Sequence, residues 1–197
     1  MRQKMKLVHG AGINDADYAV AGKNHRTGKQ WMCPYYNKWK GMLRRCYSKK
    51  YQEKYPTYEG CSVCEDWLIF SNFKSWMESQ NWEGKDLDKD LLFEGNKVYS
   101  PDKCVFVSSV LNAFVTDSGR ARGKYMIGVI FHKRDKNFQS QCNNPITKSH
   151  DYLGFFTSEL EAHLKWKKRK LELIGELLQH GYIEDIRIYN SLKTKYS

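Results

Sequence analysis

Apolar residues recur at spacings of three and four in several stretches of the chain, the signature of helices with one buried face. Within 34–47, Tyr36, Trp39, Leu43, Cys46 and Tyr47 share such a stripe, and Pro34 suits the first helical turn. The same spacing predicts a helix over 65–79, with Leu68, Ile69, Phe73, Trp76 and Met77 turned to a core. A longer helix is predicted over 158–179. Ser158 and Glu161 form a capping box at its start, Gly181 closes its end, and Leu160, Leu164, Leu171, Ile174 and Leu178 make its apolar face. A last short helix is predicted over 184–194.

Elsewhere the period shortens to two or breaks at turn residues. Leu87–Leu92 reads as a short strand, Glu94-Gly95-Asn96 and Ser100-Pro101-Asp102 as turns, and Cys104–Val107 as a second strand. Ser108-Ser109 can cap a short helix that carries Asn112. From Tyr125 the segments YMIGVIFH, FQSQCN and YLGFFT read as three strands, with a turn at 133–137. Alternation puts Val129, Phe131, Phe138, Ser140 and Cys142 on the side of a core, and Ile130, His132, Arg134, Gln139, Gln141 and Asn143 on the other.

Residues 1–30 lack periodicity and read as a basic arm, ordered on a partner; residues 117–124, rich in Gly and Arg, read as a linker. The expected class is α+β. An N-terminal module over 31–116 with flanking helices is followed, over 125–197, by a small three-stranded antiparallel sheet packed on one long helix. No apolar run approaches the ~20 residues that span a bilayer, and the first residues lack the apolar core of a signal peptide. Neither a membrane protein nor a secreted one is expected.

Charge changes this picture. The chain carries 33 Lys and Arg against 22 Asp and Glu, a net charge of +11. That favours an anionic partner, nucleic acid above all. The distribution is uneven: residues 1–58 hold 13 basic against 3 acidic, 59–118 hold 5 against 11, and 119–197 hold 15 against 8. A protein that only coats nucleic acid needs no acidic middle. A nuclease does, because carboxylates must hold a divalent cation beside the phosphate. A solvated acidic surface accounts for the same composition equally well. On the predicted strand Asp88 and Asp90 point to one face, so Asp88 is the candidate cation ligand and Asp90 a second. Asn112 is a candidate near the start of its helix, where it could equally be a cap.

The six cysteines, Cys33, Cys46, Cys61, Cys64, Cys104 and Cys142, are expected to be reduced. Cys61-Ser-Val-Cys64 is a single CxxC, and structural Zn2+ needs four ligands. Cys33, Cys46 and Cys104 could complete such a site, but buried free thiols are the favoured reading.

WKGMLRRCY, VCEDWLIFSNF, LDKD, GNKVYSP, CVFV and a closing Asn, in this order, resemble phage-encoded homing endonucleases of the HNH type. YMIGVIFHKRDKNFQSQ and YLGFFTSELEAHLKW resemble the APETALA2-type DNA-binding domain often attached to them. The resemblance covers residues 31–180. It implies a ββα-metal module, a hairpin and a helix around one divalent ion, Mg2+ or Mn2+. In that pattern the first strand carries a metal carboxylate and a His that activates water. An Asn in the turn or second strand props the His, and the helix gives a further ligand. Carried onto this chain, the metal ligands are Asp88 and Asn112, and the catalytic set is Asp88, Lys89, Asp90 and Asn96. The chain departs from the pattern at the base: Lys89 stands where the His is expected, and Lys103 where the second-strand Asn is. A lysine acts as a base only if its pKa falls well below the ordinary ~10.4.

For the second module the resemblance implies major-groove contacts from His132, Lys133, Arg134, Lys136, Gln139, Gln141 and Asn143. Gln and Asn pair bidentately with adenine, and Arg with guanine. A solvated polar face is the plainer reading of the alternation; the Lys133-Arg134-Lys136 cluster weighs for DNA. Arg44 and Arg45 lie off the apolar stripe of the first helix and are candidates for phosphate contact, as are Lys167 and Lys168 on the long helix. Two functions follow. The first is a site-specific endonuclease acting on double-stranded DNA in the cytoplasm of a bacterial host cell. The second is a degenerate relative kept as a DNA-binding regulator or blocking protein, and Lys89 is its support. RNA binding is the weaker third reading, because the sheet face shows no exposed aromatics to stack unpaired bases.

Overall fold

The computed structural model describes residues 7–116 and 124–197. The predicted linker lies outside them except for Lys124. The chain divides into two compact units, 1–106 and 107–197, and its class is α+β, as expected.

In the first unit, β1 (Ala21–Lys23) and β2 (Gln30–Met32) form an antiparallel pair. Helix α1 (Pro34–Tyr47) has the predicted bounds, with proline in its first turn, where no backbone N–H is missed. It buries Trp39, Met42, Leu43 and Cys46. Helix α2 (Lys49–Lys54) and a 3-10 turn (Pro56–Tyr58) lead to β3 (Ser62–Val63), which runs parallel to β5 (Val98–Tyr99). Trp39, Trp67, Phe70, Phe73 and Met77 centre the core, joined by Leu87, Tyr99 and Cys104.

The helix predicted over 65–79 is in fact two pieces, a 3-10 turn (Glu65–Leu68) and α3 (Phe70–Glu78). The break is at Ile69, which is extended. Ile13 takes the backbone groups on either side of it: its N–H donates to Leu68 O at 2.7 Å, and its carbonyl accepts from Phe70 N at 3.0 Å. Residues 12–15, predicted as part of a free arm, are therefore tied to the first unit. Asp15 accepts the Ser71 N–H at 2.9 Å. Gly12 lies so close to α1 that a Cβ there would stand 2.3 Å from Leu43. The hydrogen-bonding partner of a helix boundary lay more than fifty residues upstream, beyond the reach of local pattern.

Strands β4 (Asp86–Asp88) and β6 (Val105–Val107) pair as a two-stranded sheet. The predicted strand over 87–92 ends at Asp88 because the Asp88 carboxylate turns the chain. Its Oδ1 accepts the N–H groups of Asp90 at 2.8 Å and Leu91 at 2.7 Å. An aspartate that satisfies the backbone two and three residues on competes with the sheet ladder.

The second unit opens with α4 (Ser109–Val115), capped by Ser108, whose Oγ accepts the Leu111 N–H at 3.2 Å. Strands β7 (Val129–His132), β8 (Asn137–Asn144) and β9 (Ser149–Phe156) make an antiparallel sheet with β8 in the middle. Helix α5 (Glu159–Gln179) packs against β8 and β9, and α6 (Ile186–Tyr196) packs against α5. Ser140 Oγ donates to Ala162 O at 2.7 Å, fastening the sheet to the helix. Gly128 has φ +81° and passes so near Trp166 that a Cβ would stand 2.2 Å from its ring, so no other residue fits there.

The apolar face predicted for α5 is wrong apart from Ile174. The buried stripe is Ala162, Trp166, Lys170, Leu173, Ile174 and Leu177, while Leu160 and Leu164 are 55% and 53% exposed. A lysine inside the true stripe hides it from a search for apolar periodicity. Among the described residues, no helix is long and apolar enough to cross a membrane.

Candidate functional site

Two places hold the residues singled out in the sequence: the turn after β4 in the first unit, and the outer face of the sheet in the second. At the turn, Asn96 uses its whole carboxamide on the backbone. Its Nδ2 donates to Lys89 O and to Val98 O, both at 2.8 Å, and its Oδ1 accepts the Val98 N–H at 3.1 Å. It thereby fixes the backbone of the residue at the expected base position. Asp88 is half-buried, and its Oδ2 is engaged by neither of the turn bonds.

Lys89 is only 4% exposed. Its Nζ donates to Asp90 Oδ1 at 2.6 Å and to Asn96 O at 2.7 Å. Burial without partners would be costly for an ammonium, and these two acceptors remove that cost. The same pairing holds the nitrogen inward, committed to these two acceptors and turned away from solvent. Asp90 is not on the strand with Asp88. It lies in the turn, exposed, with one carboxylate oxygen committed to Lys89. Asn112 is on α4, as expected, but belongs to the second unit, so Asp88, Lys89, Asp90 and Asn96 are the part of the set described together.

A divalent magnesium ion takes one or two carboxylates and fills its remaining positions with water and substrate phosphate. Asp88, with one oxygen outside the turn bonds, fits the part of a single protein carboxylate. Among the described residues, no three or more His, Cys, Asp or Glu are grouped to hold a metal ion. All six cysteines are free, and four are buried. Burial pushes the Cys46 and Cys104 thiols up to about 12 and Cys142 to about 11, which makes them inert thiols.

The two arginines of α1 part company. Arg44 is exposed and lies over the Tyr51 ring at 4.7 Å. Arg45 is half-buried, turned toward the Leu87 carbonyl and the Tyr58 ring. Arg44 is thus the one free to meet a phosphate. On α5, Lys168 is exposed, while Lys167 donates to the carbonyl of Ser197.

On the sheet the inward and outward sides fall as alternation predicts. Val129, Ser140 and Cys142 are buried, and Ile130 and Asn143 are exposed. His132, Gln139 and Gln141 are half-buried beside one another on the outer side. His132 Nε2 lies 2.7 Å from Gln139 Oε1, and Gln139 Nε2 lies 3.5 Å from Gln141 Oε1. At one end of the sheet Lys133, Arg134 and Lys136 form an exposed turn; Arg134 pairs with its neighbour Asp135 at 2.9 Å. Lys148 occupies the turn at the other end. Lys136 and Lys148 both have positive φ, +48° and +56°.

The outer face also carries two aromatics that the sequence reading missed. Tyr152 is 61% exposed and Phe155 49%. Ser140 pairs with Gly154, but the next residue, Gln141, pairs with Tyr152. Leu153 is therefore the extra residue of a bulge, which resets the alternation and brings Tyr152 and Phe155 to one face. The expectation that the face lacks exposed aromatics is corrected. The only signal in the sequence was Gly154, whose φ of +114° few other residues adopt.

No family model, no curated protein and no solved structure matches this chain.

Proposed function

We propose that this chain is a double-stranded DNA endonuclease of the HNH type. The turn after β4 would be its hydrolytic site and the three-stranded sheet its DNA reader. The observation that carries the reading is the Asn96 carboxamide, which clamps the Lys89 backbone beside Asp88 at the end of a short strand. Asparagine as a prop, next to a strand-end carboxylate, is the arrangement that the ordered motifs imply. The basic turns at both ends of a polar sheet face support the DNA partner.

A bound Mg2+ or Mn2+ would polarise the phosphate and stabilise the leaving 3′ oxygen. Asp88 would hold it. Asn96 keeps the turn in shape. Lys89 neutralises Asp90 and fixes it to the turn.

A second reading is favoured by one observation, the inward, paired Nζ of Lys89. It is a degenerate nuclease that binds DNA without cutting it. Nicking of supercoiled plasmid with Mg2+ and with Mn2+ separates the two. The endonuclease reading expects wild-type nicking that Asp88→Ala abolishes. The degenerate reading expects no nicking by wild type, with nicking gained in Lys89→His, which restores a base of ordinary pKa near 6.5.

A further inference from the structure

We propose that the outer face of the sheet recognises A·T base pairs, reading adenine with a glutamine amide and the thymine methyl with the apolar side chain in the same rung. This rests on the duplex-DNA reading above. One rung across the three strands is Ile130, Gln139 and Phe155; the next is Gln141 and Tyr152. Each glutamine thus lies beside exposed apolar surface: Ile130 is 42% exposed, Phe155 49% and Tyr152 61%.

The chemistry of the major groove selects among base pairs. Adenine offers an acceptor at N7 and a donor at N6, and a carboxamide supplies both complements. Thymine adds a methyl group, for which a phenyl or sec-butyl side chain is the natural contact. Guanine offers two acceptors and is met best by Arg or Lys. The rungs themselves hold no Arg or Lys; the cations Lys133, Arg134, Lys136 and Lys148 stand at the two turns, where phosphates lie. The amides are also oriented beforehand. His132 holds Gln139, Gln139 reaches Gln141, and the chain of contacts ends on the Gln141 amide nitrogen.

The aromatics favour a duplex over unpaired bases. Phe155 meets His132 edge-on at 5.1 Å and 89°, and Tyr152 at 5.8 Å and 70°. Rings set at right angles do not form the flat platform on which successive unpaired bases stack.

The test is binding of the full chain to four 30-base-pair duplexes of alternating sequence: dA-dT, dA-dU, dG-dC and dG-(5-methyl-dC). Deoxyuridine removes only the thymine methyl. Burial of one methyl is worth about fourfold in affinity. Wild type is expected to bind dA-dT tightest and dA-dU at least fourfold more weakly. Adding the methyl to dG-dC should recover part of the affinity but leave it below dA-dT. Phe155→Ala should close the gap between dA-dT and dA-dU while leaving the salt dependence unchanged. Ile130→Ala serves the same purpose if Phe155→Ala fails to fold. Equal wild-type binding of dA-dT and dA-dU overturns this proposal alone, as does a gap that survives in both variants. Tighter binding of single-stranded oligo(rU) than of any duplex also overturns it, in favour of an unpaired-base platform. Absence of salt-dependent binding to every duplex overturns the DNA reading itself.

Discussion

Lys170 Nζ sits 3.7 Å from the centre of the Phe114 ring and donates to the carbonyl of the same residue at 2.5 Å. Trp166 and Tyr196 complete the aromatic wall, at 5.6 and 5.2 Å. One buried cation thus ties α4, α5 and α6 together, which explains why α4 falls in the second unit rather than in the first module. Lys170→Met keeps the stem but strands the Phe114 carbonyl and loses the ring contact. It should cost about 1–3 kcal/mol. Lys170→Ala should cost more, because it also leaves a cavity. Urea unfolding of the full chain measures both, and a Lys170→Met protein as stable as wild type would refute the assignment.

Asn96 makes three hydrogen bonds to the backbone of its own turn. Asn96→Ala removes them all and leaves the partly buried groups of Lys89 and Val98 unpaired, at a cost of about 2–3 kcal/mol. Asn96→Asp keeps the acceptor for Val98 N–H but loses both donated bonds, so its loss should fall between wild type and Asn96→Ala. Equal melting temperatures for all three proteins would show that the turn holds its shape without the amide.

Lys136 is an exposed lysine in a backbone conformation that glycine adopts freely, at φ +48°. Lys136→Gly relieves strain of about 1 kcal/mol and removes a cation from the rim of the sheet. It should therefore raise the melting temperature while weakening DNA binding to all sequences alike and lowering the salt slope. Thermal melts together with binding across a salt series read both effects. A variant that is more stable and binds unchanged would remove Lys136 from the interface.

His9 bears on pH. Its pKa lies below the ordinary value because burial disfavours the charged ring, with Lys40 and Arg44 adding repulsion. A depressed histidine pKa means that the unfolded chain takes up the proton first. The stability contributed by neutral His9 is present above pH ~6.5 and falls away as the pH drops below it. Asparagine tolerates the left-handed backbone at this position, φ +51°. His9→Asn should therefore lose less stability than wild type between about pH 7 and pH 5.5. Melting temperatures of both proteins at the two pH values decide it, and parallel losses would contradict the assignment.

Much of the architecture was legible in local pattern. Helix α1, the caps at Ser108 and Ser158, the three sheet strands and the two faces of β7 and β8 follow from period, Pro, Ser and Gly alone. What escaped had causes outside the local pattern. The Ile69 break depends on Ile13, and the buried stripe of α5 depends on a lysine whose partners lie on α4 and α6. The exposed pair on β9 depends on a bulge that a strict two-residue period cannot show. In the turn after β4, the motif order marked Asp88, Lys89 and Asn96 as one group. That Lys89 points inward was not legible, because burial of a lysine depends on acceptors supplied seven residues away by Asn96 O.

The most direct measurement uses one duplex selected from random sequence by the wild-type protein and labelled at one end. Binding and strand breakage are followed together in Mg2+ for wild type and Asp88→Ala. The account predicts that both proteins bind the duplex with similar affinity, that wild type produces breaks at one fixed position, and that Asp88→Ala produces none. A wild-type protein that saturates the duplex in Mg2+ and in Mn2+ and leaves both strands intact would contradict it.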